Sequence, residues 1–457
     1  MSNPINADTI ILGFTGSIGS GCTYIAKGLA EHYHFPYFSL SDVLKDIATR
    51  NGLTNPSPKE LQDLGNKLRS ESRKNSHLVE ELFKRIESSP PQGDSPGVII
   101  IDSIRNDGEV KTLKQFPYFY LFSIHANEDL RLKRTLKMKK FKDEAEFHAA
   151  DMRDREEEVH YGQQVKKCNY LSDIIINNEE NIPENAEVKK RELLQDIYND
   201  YFVLIKNNKD GKTDPENPPS VDETLMTIAY AESQRSSCLK RKVGAIVATV
   251  QTIASKDKHD QSIRDSVNII SSGHNEVPLG TTACVFTEHG KCYRDYLQES
   301  QASKIKCCPS CGAAIKISFT CPNCQSKIDT FLKNCPNCKK EISVKYDCPQ
   351  CHINVYSEYL LSGGKLLDMC RALHAEENAL IHLTKMGSNN QPGLTLYTTT
   401  YPCNMCANKI VASGIKNIVY ADPYPMKEAK DILAAANVES VKFQGIKSSA
   451  YFRLYNQ

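Results

Sequence analysis

Residues 395–422 read TLYTTTYPCNMCANKIVASGIKNIVYAD, and they decide the fold of the C-terminal half. The β-branched and aromatic run Leu394–Thr400 predicts a strand, and Asn417–Ala421 predicts another. Between them a helix starts at Pro402, with Cys403 and Cys406 in its first turn. Upstream, an apolar-periodic helix over about 222–234 precedes predicted strands Val243–Val250 and Asn268–Ser272, and a further helix starts at His374. A closing helix and strand end near Phe443. Strands alternating with helices make this half α/β.

The chemistry sits on two of those helix starts. His374-Ala375-Glu376 opens one, and Pro402-Cys403-Asn404-Met405-Cys406 opens the other. One imidazole and two thiolates fill three positions of a tetrahedral zinc and leave the fourth for water, as a catalytic site requires. Zinc lowers the pKa of such a water toward ~7. Glu376, two residues beyond a ligand, is placed to move protons for that water and for the leaving group. H-x-E followed by P-C-x-x-C is the pattern of zinc deaminases.

The match sharpens with SQRSSCLKRKVGAIV (233–247), SSGHNEVPLG (271–280) and CRALHAEENAL (370–380). Together with 395–422 these segments resemble deoxycytidylate deaminase. The resemblance implies that Asn275, within Gly273-His274-Asn275-Glu276, contacts the nucleoside, and that Arg235 and Ser236 lie where phosphate is handled. The aromatic residue and the second glycine of the family's Gly-Tyr-Asn-Gly motif are replaced here by His274 and Glu276.

A cysteine repeat interrupts this half at 304–356. CPxC knuckles place Cys308, Cys311, Cys321, Cys324, Cys335, Cys338, Cys348 and Cys351, and the second set of four is the first shifted by 27 residues. Two closed four-thiolate zinc ribbons are expected, with sequential pairing the simplest arrangement and an interleaved one open. Metal binding of order 10 kcal/mol would supply folding energy that so apolar-poor an insert lacks. Ribbons contact RNA, DNA or protein, or brace a fold, so a regulatory RNA or protein partner is open. Cys238, Cys284, Cys292 and Cys370 form either a further structural zinc site, which the resemblance to bacterial and phage enzymes implies, or buried free thiols, with His289 as a competing ligand.

The N-terminal half has its own signature. Residues 9–15 (TIILGFT) predict a buried strand running into Gly16-Ser17-Ile18-Gly19-Ser20-Gly21-Cys22-Thr23 and then a helix. The spacing is that of a P-loop, whose backbone N–H groups cradle phosphates, with Gly16, Gly19, Gly21 and Thr23 as nucleotide-binding residues. Cys22 occupies the lysine position, and Asp102, ending VIIID, stands as a Walker-B carboxylate. With DSIRN (102–106), HANEDLRLKR (125–134) and 153–178, this half resembles deoxynucleoside-monophosphate and dephospho-coenzyme A kinases. Without the lysine a competent kinase is not expected. Retained binding of ATP or a dNTP with Mg2+, acting as an effector, is.

The expected architecture is therefore α/β throughout. A P-loop kinase-like parallel sheet spans 1–206, a Pro- and Gly-rich linker 207–221, and a cytidine deaminase-like α/β/α domain 222–457 with the zinc-ribbon insertion. The fusion resembles anti-phage dCTP/dCMP deaminases, which implies depletion of the deoxycytidine nucleotide pool. Lys+Arg (57) nearly balance Asp+Glu (56), so no global field recruits nucleic acid or membrane. No apolar run approaches a membrane span of ~20 residues, and the first ten residues lack a signal-peptide layout. Seventeen cysteines fit a reducing cytoplasm and metal ligation better than disulfides. A homo-oligomer acting on free deoxycytidine nucleotides is expected. The competing reading is a deaminase directed at nucleic acid, its ribbons gripping a strand, but that insert is rich in lysine and poor in stacking aromatics.

Overall fold

The computed structural model describes residues 5–88, 97–155, 161–179, 187–212, 217–254, 263–288, 290–296, 319–321, 324, 326–328, 337–338, 350, 370–387, 393–423 and 427–455. The first half runs β1 (Ile10–Thr15), α1 (Cys22–Tyr33), β2 (Tyr37–Ser39), α2 (Leu40–Arg50), α3 (Pro58–Glu71), α4 (His77–Ser88) and β3 (Val98–Asp102). It continues through α5 (Asp107–Leu113), β4 (Phe119–His125), α6 (Glu128–Lys137), α7 (Glu144–Arg155), α8 (Val165–Leu171), β5 (Ile174–Asn177), α9 (Glu187–Ile197) and α10 (Val203–Lys209). All six residues of β1 are buried. Ile10, Leu12 and Phe14 enter one core and Ile11 the other, as the two-residue strand period requires of a sheet covered on both faces.

The second half runs α11 (Val221–Gln234), β6 (Gly244–Ala254), β7 (Ile263–His274), β8 (Phe319–Thr320), β9 (Lys327–Ile328), α12 (Ala375–Lys385), β10 (Leu394–Thr400), α13 (Asn404–Ala412) and β11 (Asn417–Asp422). It ends with α14 (Lys427–Ala435), β12 (Glu439–Lys442), β13 (Gly445–Ile446) and α15 (Ser448–Tyr455). Strand order is β12-β11-β10-β6-β7, with β10, β11 and β12 mutually parallel and β6 antiparallel to both of its neighbours. Ala245, Val247 and Leu396 face the layer carrying α12 and α13, while Ile246, Ala248 and Tyr397 face α11.

The two halves do not part where the sequence suggests. The first sheet has the order β13-β5-β4-β1-β3-β2, so its outer strand comes from the end of the chain. Gly445 pairs with Ile175 and Ile446 with Ile174, antiparallel. Ile446, Ala450 and Leu454 complete the core of the P-loop half, and Ile175 packs into the core beneath the deaminase sheet. The expected 222–457 domain is corrected accordingly: residues 445–455 pack against the first sheet. A two-residue strand carries too little pattern to be read ahead of its partner. The expected linker is also shorter than 207–221, since α10 runs to Lys209.

Buried Glu223 holds this return in place. Its Oε1 accepts from the Ile446 N–H (2.7 Å), and Oε2 accepts from the Ser220 N–H (2.9 Å) and the Tyr455 hydroxyl (3.2 Å). Glu223→Ala strands a buried N–H and loses three bonds to a charged group. It should lower unfolding free energy by about 2–3 kcal/mol, read as a shift of the urea midpoint.

Candidate active site

β10 is buried along its whole length and delivers the chain to the metal loop. The Tyr401 N–H donates to Asp422 O (2.8 Å), keeping the exit from β10 beside the end of β11. Cys403 then caps α13 at its N-terminus. On the facing element, Glu276 and Leu373 exchange backbone hydrogen bonds of 3.2 and 2.9 Å, which fixes His374 as the N-cap of α12. Gly273 lets α12 come close: a Cβ there would lie 2.4 Å from Ala379 N and 2.5 Å from Ala375 O. A Lys409–Glu377 ion pair ties α13 to α12.

These constraints bring one atom each of His374, Cys403 and Cys406 within 4.8 Å of one another. Both Sγ atoms lie 3.3 Å from His374 Nδ1. Glu376 is 4% exposed, its Oε2 3.7 Å from Cys406 Sγ. The neighbouring Cys406 sulfur and the His374 imidazole hold the Cys403 thiol down at about 4, whereas Cys403 and burial push Cys406 well up. The pair thus shares one negative charge. Full ionisation of both needs a cation among them, so the donor set fits zinc, and two helix N-termini favour the same anionic form. Burial raises the Glu376 carboxyl, and the hydrogen bond to Cys403 raises His374.

The three residues expected at the substrate behave differently. Asn275 spends its amide on the loop: Oδ1 accepts from the Val243 N–H (2.7 Å), and Nδ2 donates to Arg241 O (2.8 Å). Ser236 Oγ donates to Asn275 O (2.6 Å). Arg235 is exposed and pairs with Glu232. Two further residues, seen in the sequence only as departures from the family motif, shape this wall. The Glu276 carboxylate accepts from the Ser237 hydroxyl (2.6 Å) and N–H (2.9 Å), and His274 Nδ1 meets Glu232 at 2.8 Å. No spacing rule marks either one.

Among the ribbon cysteines, Cys321, Cys324 and Cys338 converge within 4.8 Å, with Cys321 and Cys338 sulfurs 3.8 Å apart. Among the described residues, Cys338 of the third knuckle thus stands with both cysteines of the second, which the sequential pairing would have kept apart. Identical knuckles carry no information about which one folds onto which. Cys308, Cys311, Cys335, Cys348 and Cys351 lie outside the described residues. No three of Cys238, Cys284, Cys292 and Cys370 bring their sulfurs within 4.8 Å of one another. Burial, with Cys238 and Cys292 near it, pushes the Cys370 thiol up. His289 also lies outside the described residues.

The P-loop is formed. Gly19 (φ +82°) and Gly21 (φ +88°) adopt left-handed backbone, and Gly21 caps α1. A Cβ at Gly16 would lie 2.5 Å from Ser20 Oγ and 2.6 Å from Ile124 O. Asp102 is wholly buried and accepts from Cys22 Sγ (3.1 Å), Thr23 Oγ1 (2.7 Å), Tyr37 OH (2.9 Å) and Ser103 Oγ (3.1 Å). Burial and Asp102 hold Cys22 as a neutral thiol.

Fold and geometry together define a deaminase-type metal site carried beside a P-loop. Residues 219–422 match the family described as cytidine and deoxycytidylate deaminase zinc-binding region, and residues 15–148 match an AAA domain. The chain thus carries a domain of the cytidine and deoxycytidylate deaminase zinc-binding family, fused to a P-loop domain. It is similar to the deoxycytidylate deaminase of Saccharomyces cerevisiae, 22% identical over 92% of this chain and 91% of that protein. It is also similar to the deoxycytidylate deaminases of Schizosaccharomyces pombe (27%; 56% of each chain) and enterobacteria phage T4 (29%; 47% of this chain, 86% of that one). No helix among the described residues is long and apolar enough to cross a membrane.

Gly273→Ala tests the positioning of α12. The new methyl meets backbone, which cannot yield as a side chain would, so α12 must shift and carry His374 and Glu376 with it. Zinc bound per chain should fall relative to wild type, by atomic emission on purified protein.

Proposed function

We propose that the protein hydrolytically deaminates free deoxycytidine nucleotides, dCMP and dCTP, to the deoxyuridine nucleotides and ammonia. The observation that carries this reading is the convergence of His374, Cys403 and Cys406 at two helix N-termini with buried Glu376 against them. His374, Cys403 and Cys406 would hold zinc, which when bound would supply the Lewis acidity that makes a nucleophilic water available near neutral pH. Glu376 takes a proton from the water and delivers protons to the ring nitrogen and the leaving amine. Burial of its carboxyl favours that exchange by bringing its proton affinity closer to neutrality. Asn275 and Ser236 act by bracing the wall that receives the nucleoside, and exposed Arg235 turns toward phosphate by exchanging its Glu232 partner for it.

The N-terminal half serves as a nucleotide-responsive regulator. The P-loop keeps its backbone donors and the α1 N-terminus, but Cys22 places a neutral thiol where phosphoryl transfer needs a positive charge. The similarity of the fused architecture to anti-phage enzymes supports a role in depleting dCTP in the cytoplasm. The cysteine-rich insert holds two structural zincs, and a homo-oligomer is the expected assembly.

Purified protein incubated with dCMP, dCTP, CTP and a cytosine-containing oligonucleotide, followed by NMR, should convert the free deoxynucleotides. Conversion of the oligonucleotide alone would replace this reading with a strand-directed one. Glu376→Ala should retain zinc and lose roughly 10²–10⁴-fold in turnover. Near wild-type turnover in that variant refutes the proton-transfer role. Nucleotide should bind without phosphorylation of dCMP, and turnover at kinase rates of about 1–100 s⁻¹ would show a bifunctional enzyme instead.

A further inference from the structure

The end of β5 touches the phosphate loop and the deaminase sheet through two consecutive side chains. Asn178, 6% exposed, donates from Nδ2 to Ser20 O (2.8 Å), and its own carbonyl accepts from Arg134 Nη2 (2.9 Å). The fit is tight: a Cβ on Gly21 would lie 2.1 Å from Asn178 Nδ2. Asn177 faces the other way. Its Nδ2 donates to Lys442 O (2.8 Å) at the end of β12, and its N–H donates to Gln444 Oε1 (3.0 Å).

From Lys442 the contacts continue to the metal loop. Lys442 is in register with Tyr420 on β11, and the Phe443 N–H donates to Tyr420 O (2.8 Å). Two residues on, Asp422 O accepts from the Tyr401 N–H (2.8 Å), just before Cys403. The Asp422 carboxylate holds Arg241 (3.0 Å), whose carbonyl is held in turn by Asn275. Two atoms along this line are buried with no hydrogen-bond partner among the described residues: Ser20 Oγ on the loop and Asn177 Oδ1 at the joint. Buried polar atoms are rarely left so. A segment with an unused acceptor has a second hydrogen-bonding arrangement open to it, which coupling between sites requires.

We propose that Asn177 and Asn178 form the joint through which occupancy of the phosphate loop changes the deaminase. This rests on the reading of the P-loop half as a regulator and names where its signal crosses. Phosphate seated on the loop's N–H groups reorients the Ser20–Gly21 peptide, whose carbonyl Asn178 holds. Asn177 carries the displacement to the β12 end and so to the loop bearing Cys403. Asn177 is a positioning residue: it touches neither the metal ligands nor the phosphate loop.

The test uses the full chain and cytosine-free nucleotides, ATP, dATP, dGTP and dTTP, each with magnesium. Nucleotide Kd is read by calorimetry with and without dUMP, and KM for dCMP with and without nucleotide. In the wild type at least one nucleotide should change KM by about 5–150-fold, and dUMP should change that nucleotide's Kd in the same direction. Asn177→Ala and the isosteric Asn177→Asp both remove the donor to Lys442 O. Each should leave the nucleotide Kd measured alone, the basal kcat and the zinc content within about twofold of wild type, while the coupling factor falls to 1. Wild-type coupling in both variants overturns the joint and leaves the regulator standing. A wild-type coupling factor of 1 with all four nucleotides overturns the regulator itself, and the joint with it.

Discussion

The pairing of β13 with β5 joins what would otherwise be two independent sheets. It consists of two residues on each strand, too few to hold by backbone bonding alone. Its stability comes from what flanks it. Ile446 and the inner face of α15 fill the core of the P-loop half, and Glu223 binds the Ile446 N–H from the first turn of α11. The same carboxylate completes a capping box with Ser220, so one buried side chain starts the first helix of the deaminase half and fixes the chain's final strand. Gly445 (φ +132°) is required there because a Cβ would lie 2.8 Å from the Glu223 side chain. The edge of the parallel sheet is thereby covered, which removes an open template for strand addition.

At the metal site the controlling constraint is electrostatic. Two thiols, an imidazole and a carboxyl are crowded into a buried space. Left to themselves they share protons unevenly, with Cys403 pulled down and Cys406 and Glu376 pushed up. A divalent cation among them favours the thiolate form of both, reversing the upward push on Cys406. The fold accepts this crowding because backbone contacts set the positions: Gly273 against α12, Glu276 against Leu373, and Tyr401 against Asp422.

Much of this was legible in the sequence. His374, Glu376, Cys403 and Cys406 announce themselves because metal chemistry restricts both residue type and spacing, and β1 and β10 because a buried strand must be apolar or β-branched along its length. The features that escaped share a different cause. The β13 return spans two residues and depends on Glu223, which resembles an ordinary helix-start glutamate. The ribbon pairing escaped because four CPxC knuckles are interchangeable in sequence. Asn275 was expected at the nucleoside from the family resemblance; in the structure its Oδ1 accepts from Val243 and its Nδ2 donates to Arg241, which leaves one N–H and one lone pair for a ligand. An asparagine that braces a loop and one that binds a sugar look alike in sequence.

The P-loop half shows how one substitution redirects a fold. A lysine following Gly21 would place a cation near Asp102. Cys22 instead donates a hydrogen bond to that carboxylate, which already accepts from Thr23, Tyr37 and Ser103. Asp102 is thus occupied by the protein's own donors, and position 22 contributes no positive charge to the loop. What survives is the part that binds: left-handed glycines and a helix N-terminus. On the proposed reading, nucleotide bound there favours one arrangement of the chain over another, to the extent that the two arrangements bind it unequally. Such inequality requires a mechanical connection from the loop to the other half. The loop's carbonyl side is gripped by Asn178 and Arg134, and the residue before Asn178 is bonded to the deaminase sheet. On the proposed reading, a change of shape in a loop so anchored is passed to the adjoining sheet, which makes the loss of the lysine compatible with retention of the domain.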